Sequence, residues 1–85
     1  MELNDTKELM VSANYKERFK AEYYQTKIRY DKLKSFINKI EAAQRVGTEE
    51  PKHDCPLDLL MDQQHFMEKY LHILEVRAII ENVEL

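Results

Sequence analysis

A single cysteine among 85 residues rules out an internal disulfide framework and fits a reducing compartment. One glycine and two prolines give almost no turn punctuation, which argues against a many-stranded β fold. The same scarcity excludes a glycine-rich phosphate loop. No apolar run approaches the ~18 residues that a membrane-spanning helix needs. The opening MELNDTKELM has neither a basic segment nor a continuous apolar stretch, so no signal peptide is expected. What the chain does have is 44% apolar residues, too many for a disordered tail, in a length that fits one domain.

The breaker signals concentrate between Arg45 and Pro56, which hold the sole Gly and both prolines. Both flanks read as helix. Asp5 with Glu8 has capping-box spacing and predicts a short helix at about 5–11. Asn14 with Glu17 repeats that spacing and predicts a second start after a break at 12–14, opening a long helix over about 15–44; one continuous helix from residue 5 is the alternative. Gly47 is the expected stop just beyond its end. Pro56 suits the first position of a last helix over about 56–82, with Cys55 before it as the cap and Asp58 favourable in the first turn. The intervening linker spans about 45–55. At ~1.5 Å per residue the two long helices would measure roughly 45 and 40 Å. Two helices of similar length on a short linker predict an all-α fold, an antiparallel helical hairpin in a single domain.

Phe19, Tyr23, Thr26, Tyr30, Leu33, Ile37, Ile40 and Gln44 follow an unbroken alternation of four and three, a heptad seam. Leu60, Gln64, Met67, Leu71, Leu74 and Ala78 repeat it. Folding the chain about the linker sets Leu33 against Met67, Ile40 against Leu60, Thr26 against Leu74, and Glu22 beside Arg77, where an ion pair is expected. The polar atoms of Tyr23, Thr26, Tyr30 and Gln64 either fix the register or line a pocket between the helices, and register control is the simpler reading.

The last helix carries more apolar surface than one partner helix can cover. Phe66, Tyr70, Ile73 and Ile80 form a second stripe, with Arg77 in line. On the long helix Ala21, Tyr24 and Ile28 point away from the seam. A two-helix hairpin has one thin contact layer and needs further burial. A homo-oligomer is therefore expected, with a dimeric four-helix bundle the simplest closed form. The short first helix folding over the stripe is the alternative.

Residues 14–45 hold nine Lys/Arg and four Asp/Glu, net +5, whereas residues 46–85 hold three and nine, net −6. A basic helix thus faces an acidic one. Complementary flanks explain this as hairpin pairing. The acidic helix would also repel a long polyanion, so duplex nucleic acid is not expected, while a small phosphorylated ligand needs only one basic patch. Bases stack on aromatic rings and phosphates take charged hydrogen bonds. Tyr15, Arg18, Tyr24 and Lys27 combine the two properties and are the expected ligand residues. They do not share one helix face, so joining them requires a second subunit.

Catalysis and metal binding find little support. His53, Asp54 and Cys55 cluster in the linker and His65 and His72 lie seven apart, which is not a zinc-ligand spacing. His72 falls on an outward face and reads as solvated. No nucleophile elbow or phosphate loop occurs. The expectation is a protein without catalytic residues, metal or cofactor.

Two blocks carry a resemblance. Asn14-Tyr-Lys-Glu-Arg-Phe-Lys-Ala-Glu-Tyr-Tyr-Gln with Tyr30-Asp-Lys-Leu33, and Cys55-Pro-Leu-Asp-Leu-Leu60 with Gln64, Met67, Tyr70, Leu74, Glu75, Val76 and Arg77, resemble a family of small tailed-phage proteins. That family is usually labelled only as related to one reading frame of a crAss-like gut phage. The resemblance covers residues 1–85 and implies a protein made in a bacterial cytoplasm. In architecture the chain is also similar to the anti-CBASS sponges, short phage helical hairpins that oligomerise and sequester cyclic di- and trinucleotide immune signals. This implies an anti-defence protein that binds a cyclic or otherwise phosphorylated nucleotide. The alternative is an interaction module whose stripe of Phe66, Ile73 and Ile80 engages a host protein by helix packing, with no small ligand.

Overall fold

A computed structural model describes residues 14–85. The expected short helix at 5–11 lies outside them. Two α-helices make up the fold: α1, Tyr15–Val46, and α2, Leu57–Ile80, packed as a hairpin with no strand among the described residues.

Each helix end has a chemical cause. The Asn14 side-chain oxygen accepts from the backbone N–H of Lys16 at 2.8 Å and of Glu17 at 3.3 Å, satisfying two of the free donors at the start of α1. At the other end Gly47 adopts φ 75°, and the Gly47 and Thr48 N–H groups both donate to the Ala43 carbonyl. This is a left-handed helix stop that suits glycine. α2 ends on the same device: Asn82 takes φ 58° and the Val83 N–H donates back to the Ala78 carbonyl at 2.8 Å. Asn82 thus stops α2 after Ile80, and Val83 turns inward to join the core. The start of α2 is a correction. Pro56 is extended and sits at the cap position, with Leu57 the first helical residue and Cys55 exposed outside it.

The seam is the core. Phe19, Tyr30, Ile37, Ile40, Leu71, Leu74 and Ala78 are buried, while Tyr23, Thr26, Leu33, Leu60, Gln64 and Met67 are half-buried. Gln44 is exposed, its amide reaching Glu50 instead. Ala21 is buried and Tyr24 and Ile28 half-buried, so the outer face of α1 is less open than their heptad positions imply.

The register differs from a fold about the linker midpoint. Leu74 shares a core cluster with Phe19, Ala78 and Val83, two turns before Thr26 along α1. Arg77 reaches Tyr15 and Phe19, one to two turns before Glu22. The linker accounts for this. It runs back along α1 before α2 starts: the His53 ring meets Phe36 edge to face with 6.4 Å between centroids, and Gln44 donates to Glu50 at 2.6 Å. That return stretch carries α2 toward the N-terminal end of α1.

The displaced register removes the expected Glu22–Arg77 ion pair. Arg77 Nε donates to Glu81 at 2.8 Å, its terminal nitrogen donates to the Tyr15 hydroxyl at 3.0 Å, and its guanidinium lies 5.2 Å from the Phe19 ring centroid. Tyr15 in turn donates to Glu81. Glu22 instead accepts from the Tyr70 hydroxyl at 3.1 Å. Tyr15, Arg77 and Glu81 thereby clasp the open end of the hairpin. The Arg77 hydrogen bond, followed by that of Tyr15, holds the Glu81 carboxyl below its ordinary pKa, and the hydrogen bond to Glu81 raises the Tyr15 phenol.

Candidate functional site

Depressions on the described surface include three of note. One, of about 570 Å³, is lined by α2 alone: His65, Glu68, Lys69, His72 and Ile73. A second, of about 430 Å³, is lined by α1 alone: Asp31, Lys32, Ser35, Phe36 and Lys39. The third, of about 320 Å³, has walls from both helices, with Tyr23, Lys27, Tyr30 and Lys34 facing Glu68, Leu71, His72 and Glu75. It is near the lower end of the size range of small-molecule sites.

Helical periodicity builds this groove. Tyr23 and Tyr30 are seven apart, as are Lys27 and Lys34, so one flank of α1 presents ring, cation, ring, cation. Glu68 and Glu75 repeat at seven on α2, with Leu71 and His72 between them. Tyr30 is buried at the base, and the Lys27 ammonium stands 5.5 Å from its ring centroid. The same ammonium pairs with Asp31 at 3.2 Å, and that hydrogen bond is the main cause of its raised pKa. Lys27 is therefore a fixed, fully charged cation at the rim. Tyr23 is half-buried, and desolvation, followed by the Glu75 charge, raises its phenol. It stays a neutral hydroxyl that can both donate and accept. Tyr24 meets the Tyr23 ring edge-on at 5.2 Å.

In this arrangement Lys27 and Lys34 can take an anion, the Tyr23 ring can take a planar apolar face, and the two glutamates can accept from hydroxyl or amino groups. The groove suits a ligand that is anionic along the side facing α1 and rich in donors along the side facing α2.

Of the four expected ligand residues, only Lys27 lines the groove. Tyr15 is engaged in the clasp with Arg77 and Glu81. Arg18 is exposed near the start of α1, and Tyr24 stands behind Tyr23. One chain does not gather the four. Lys34 is one of the several cations of the basic helix and was not singled out among them; Tyr23 and Tyr30 also belong to the seam, and His72 reads as solvated. The signal was the double seven-residue repeat of Tyr and Lys. The stripe residues Phe66, Tyr70, Ile73 and Ile80 are all exposed in the single chain.

Among the described residues no three His, Cys, Asp or Glu side chains are grouped to hold a metal ion, and no helix is long and apolar enough to cross a membrane. The model of the family described as Sequestin matches residues 13–80. The chain belongs to the Sequestin family. The matched span takes in both walls of the groove, from Tyr23 to Glu75. The family name suggests a sequestering protein. No curated protein and no solved structure matches this Sequestin.

Proposed function

We propose that this Sequestin captures a small cyclic or otherwise phosphorylated nucleotide and, as a phage protein, withholds that signal from the defence of the host bacterium. The observation that carries this reading is the groove walled by both helices, in which Lys27 and Lys34 alternate with Tyr23 and Tyr30. The lysines hold phosphate oxygens. The half-buried Tyr23 ring packs on a base, a contact of about 1–3 kcal/mol. Glu68 and Glu75 accept from ribose hydroxyls or base amines and discourage longer polyanions that would run past the groove. The mechanism is stoichiometric: ligand is bound and stays chemically unchanged. The resemblance to the anti-CBASS sponges agrees with the same class of ligand.

Native mass spectrometry with a panel of cyclic di- and trinucleotides tests this. The expected result is a bound mass in integral stoichiometry that Lys27→Glu and Lys34→Glu each reduce at least ten-fold. A protein that stays bare with every member of the panel overturns it.

A second reading is favoured by one observation, the open stripe of α2. Phe66, Ile73 and Ile80 are exposed by 67, 54 and 72%. A host protein packed on this stripe would make the chain an interaction module with no small ligand. It predicts capture of a partner that Phe66→Glu abolishes and nucleotides do not displace.

A further inference from the structure

The two walls of the groove differ in what they can offer an anion. On α1, Lys27 and Lys34 supply ammonium donors. On α2, the carboxylates of Glu68 and Glu75 only accept, and the Leu71 side chain has no polar atom. The backbone N–H groups of this stretch are engaged inside the helix. His72 is left as the donor of the α2 wall, because a histidine ring carries at least one N–H whether neutral or charged. An anion seated in the groove can therefore be held from the second helix only through His72.

The ring is open to this use. It is exposed, and among the described residues no hydrogen bond, ion pair or ring contact engages it. The other two histidines differ. The His53 Nδ1 lies 2.7 Å from the Cys55 carbonyl oxygen, and its ring meets Phe36. His65 has Phe66 beside its ring and lies outside the groove, in the depression on α2 that it shares with His72 and Lys69. Lys69 stands over the Phe66 ring, 5.9 Å from its centroid. Within the groove Glu68 and Glu75 come one turn before and one turn after His72. Each repels an anion that approaches it, so the acidic wall tolerates one at the height of His72, between them.

We infer that His72 is the anion-binding residue of α2. Its ring N–H donates to a phosphate oxygen that Lys27 or Lys34 holds from α1, so one phosphate bridges the two helices between Glu68 and Glu75. This rests on the reading of the groove as the ligand site and adds where along it the phosphate sits. The remainder of the ligand extends from that point past a glutamate, which accepts from its hydroxyl or amino groups.

Inorganic phosphate is the probe, because it reads the anion position without a base. The ring nitrogens of the three histidines are followed by NMR in the full chain at constant pH as phosphate is added. The expected result is a saturable shift of His72, with His53 and His65 staying in place as internal references. Replacing Lys27 and Lys34 together by Glu removes the shift. Followed at the lysine resonances, phosphate binds His72→Ala about ten-fold more weakly, whereas His72→Gln, which keeps an N–H donor, stays within about three-fold. Both variants change an exposed position, and far-ultraviolet circular dichroism checks that the helices persist. An unmoved His72 ring, or a His65 ring that moves with it, overturns the inference, and so does unchanged phosphate affinity in His72→Ala. The proposed function fails separately. A saturable His72 shift in a chain that retains no nucleotide supports the anion position and removes the nucleotide reading. Nucleotides that bind His72→Ala as tightly as the unmodified chain leave that reading in place and overturn the role of His72.

Discussion

The guanidinium of Arg77 lies over the ring of Phe19, 5.2 Å from its centroid, and bridges Tyr15 and Glu81 from there. One side chain thus ties the end of α2 to the start of α1 by a ring contact and one hydrogen bond, while its pairing with Glu81 stays within the end of α2. Lysine carries the charge but lacks the planar fork that serves all three partners at once. Arg77→Lys is expected to lower the melting temperature by a few degrees, and Arg77→Leu by more. Thermal denaturation of the two variants checks this; equal stability of Arg77→Lys and the unmodified chain would show that the fork contributes nothing.

The clasp also sets a pH dependence. The folded state lowers the Glu81 pKa, so that contribution is complete above the unfolded value and is lost as pH falls through the folded one. The phenols of Tyr15, Tyr23 and Tyr70 are raised, through the hydrogen bond to Glu81 for Tyr15 and through desolvation for Tyr23 and Tyr70. Their contributions are complete below the ordinary phenol value, about 10, and are lost as pH rises through the folded values. Urea denaturation across pH should show falls on both sides. Glu81→Gln should flatten the acid side and Tyr70→Phe part of the alkaline side.

The small core should be unforgiving. Leu74 is 2% exposed and packs with Phe19, Ala78 and Val83. Leu74→Ala is expected to cost about 2–5 kcal/mol. A domain of this length has roughly 4–13 kcal/mol in total. Ile79→Ala, at a position 79% exposed, should stay within about 0.5 kcal/mol. Chemical denaturation of both variants gives the comparison, and similar costs at the two positions would contradict this placement of the core.

Gly47 gives a cleaner backbone test. A Cβ added there meets nothing within 4 Å, so only its φ of 75° opposes substitution. Gly47→Ala should cost about 1–2 kcal/mol from the left-handed conformation alone. Gly47→Asn should cost less, because asparagine tolerates that region, and Gly47→Val more. Equal effects of Ala and Asn would mean the helix stops elsewhere in solution.

The parts of this fold that depend on local chemistry were legible in the chain. Asn14 and Gly47 bound α1 because a side-chain acceptor and an unhindered backbone act within a few residues of themselves. The heptads located the two helices and most of their buried positions. The register was not legible. It depends on His53 packing against Phe36 across the linker, a contact that no spacing rule contains. The Glu22–Arg77 pairing failed with it, by one to two turns. The groove was half visible: Tyr23 and Tyr30 were noticed as polar atoms in a seam, and Lys27 as a cation. Their union with Lys34 and His72 appears only when α2 is laid at its actual height along α1. Tyr15 stands in the clasp with Arg77 and Glu81, and an exposed aromatic beside cations has the same sequence signature whether it meets a ligand or closes a clasp.

The central claim is retention without turnover, and equilibrium dialysis against cyclic di- and trinucleotides followed by heat release and chromatography tests it most directly. The account predicts that at least one nucleotide is held in integral stoichiometry, is recovered chemically intact, and is lost from Lys27→Glu and Lys34→Glu but not from Lys39→Glu, which lies outside the groove. No retention of any nucleotide, or recovery of a converted product, would contradict it.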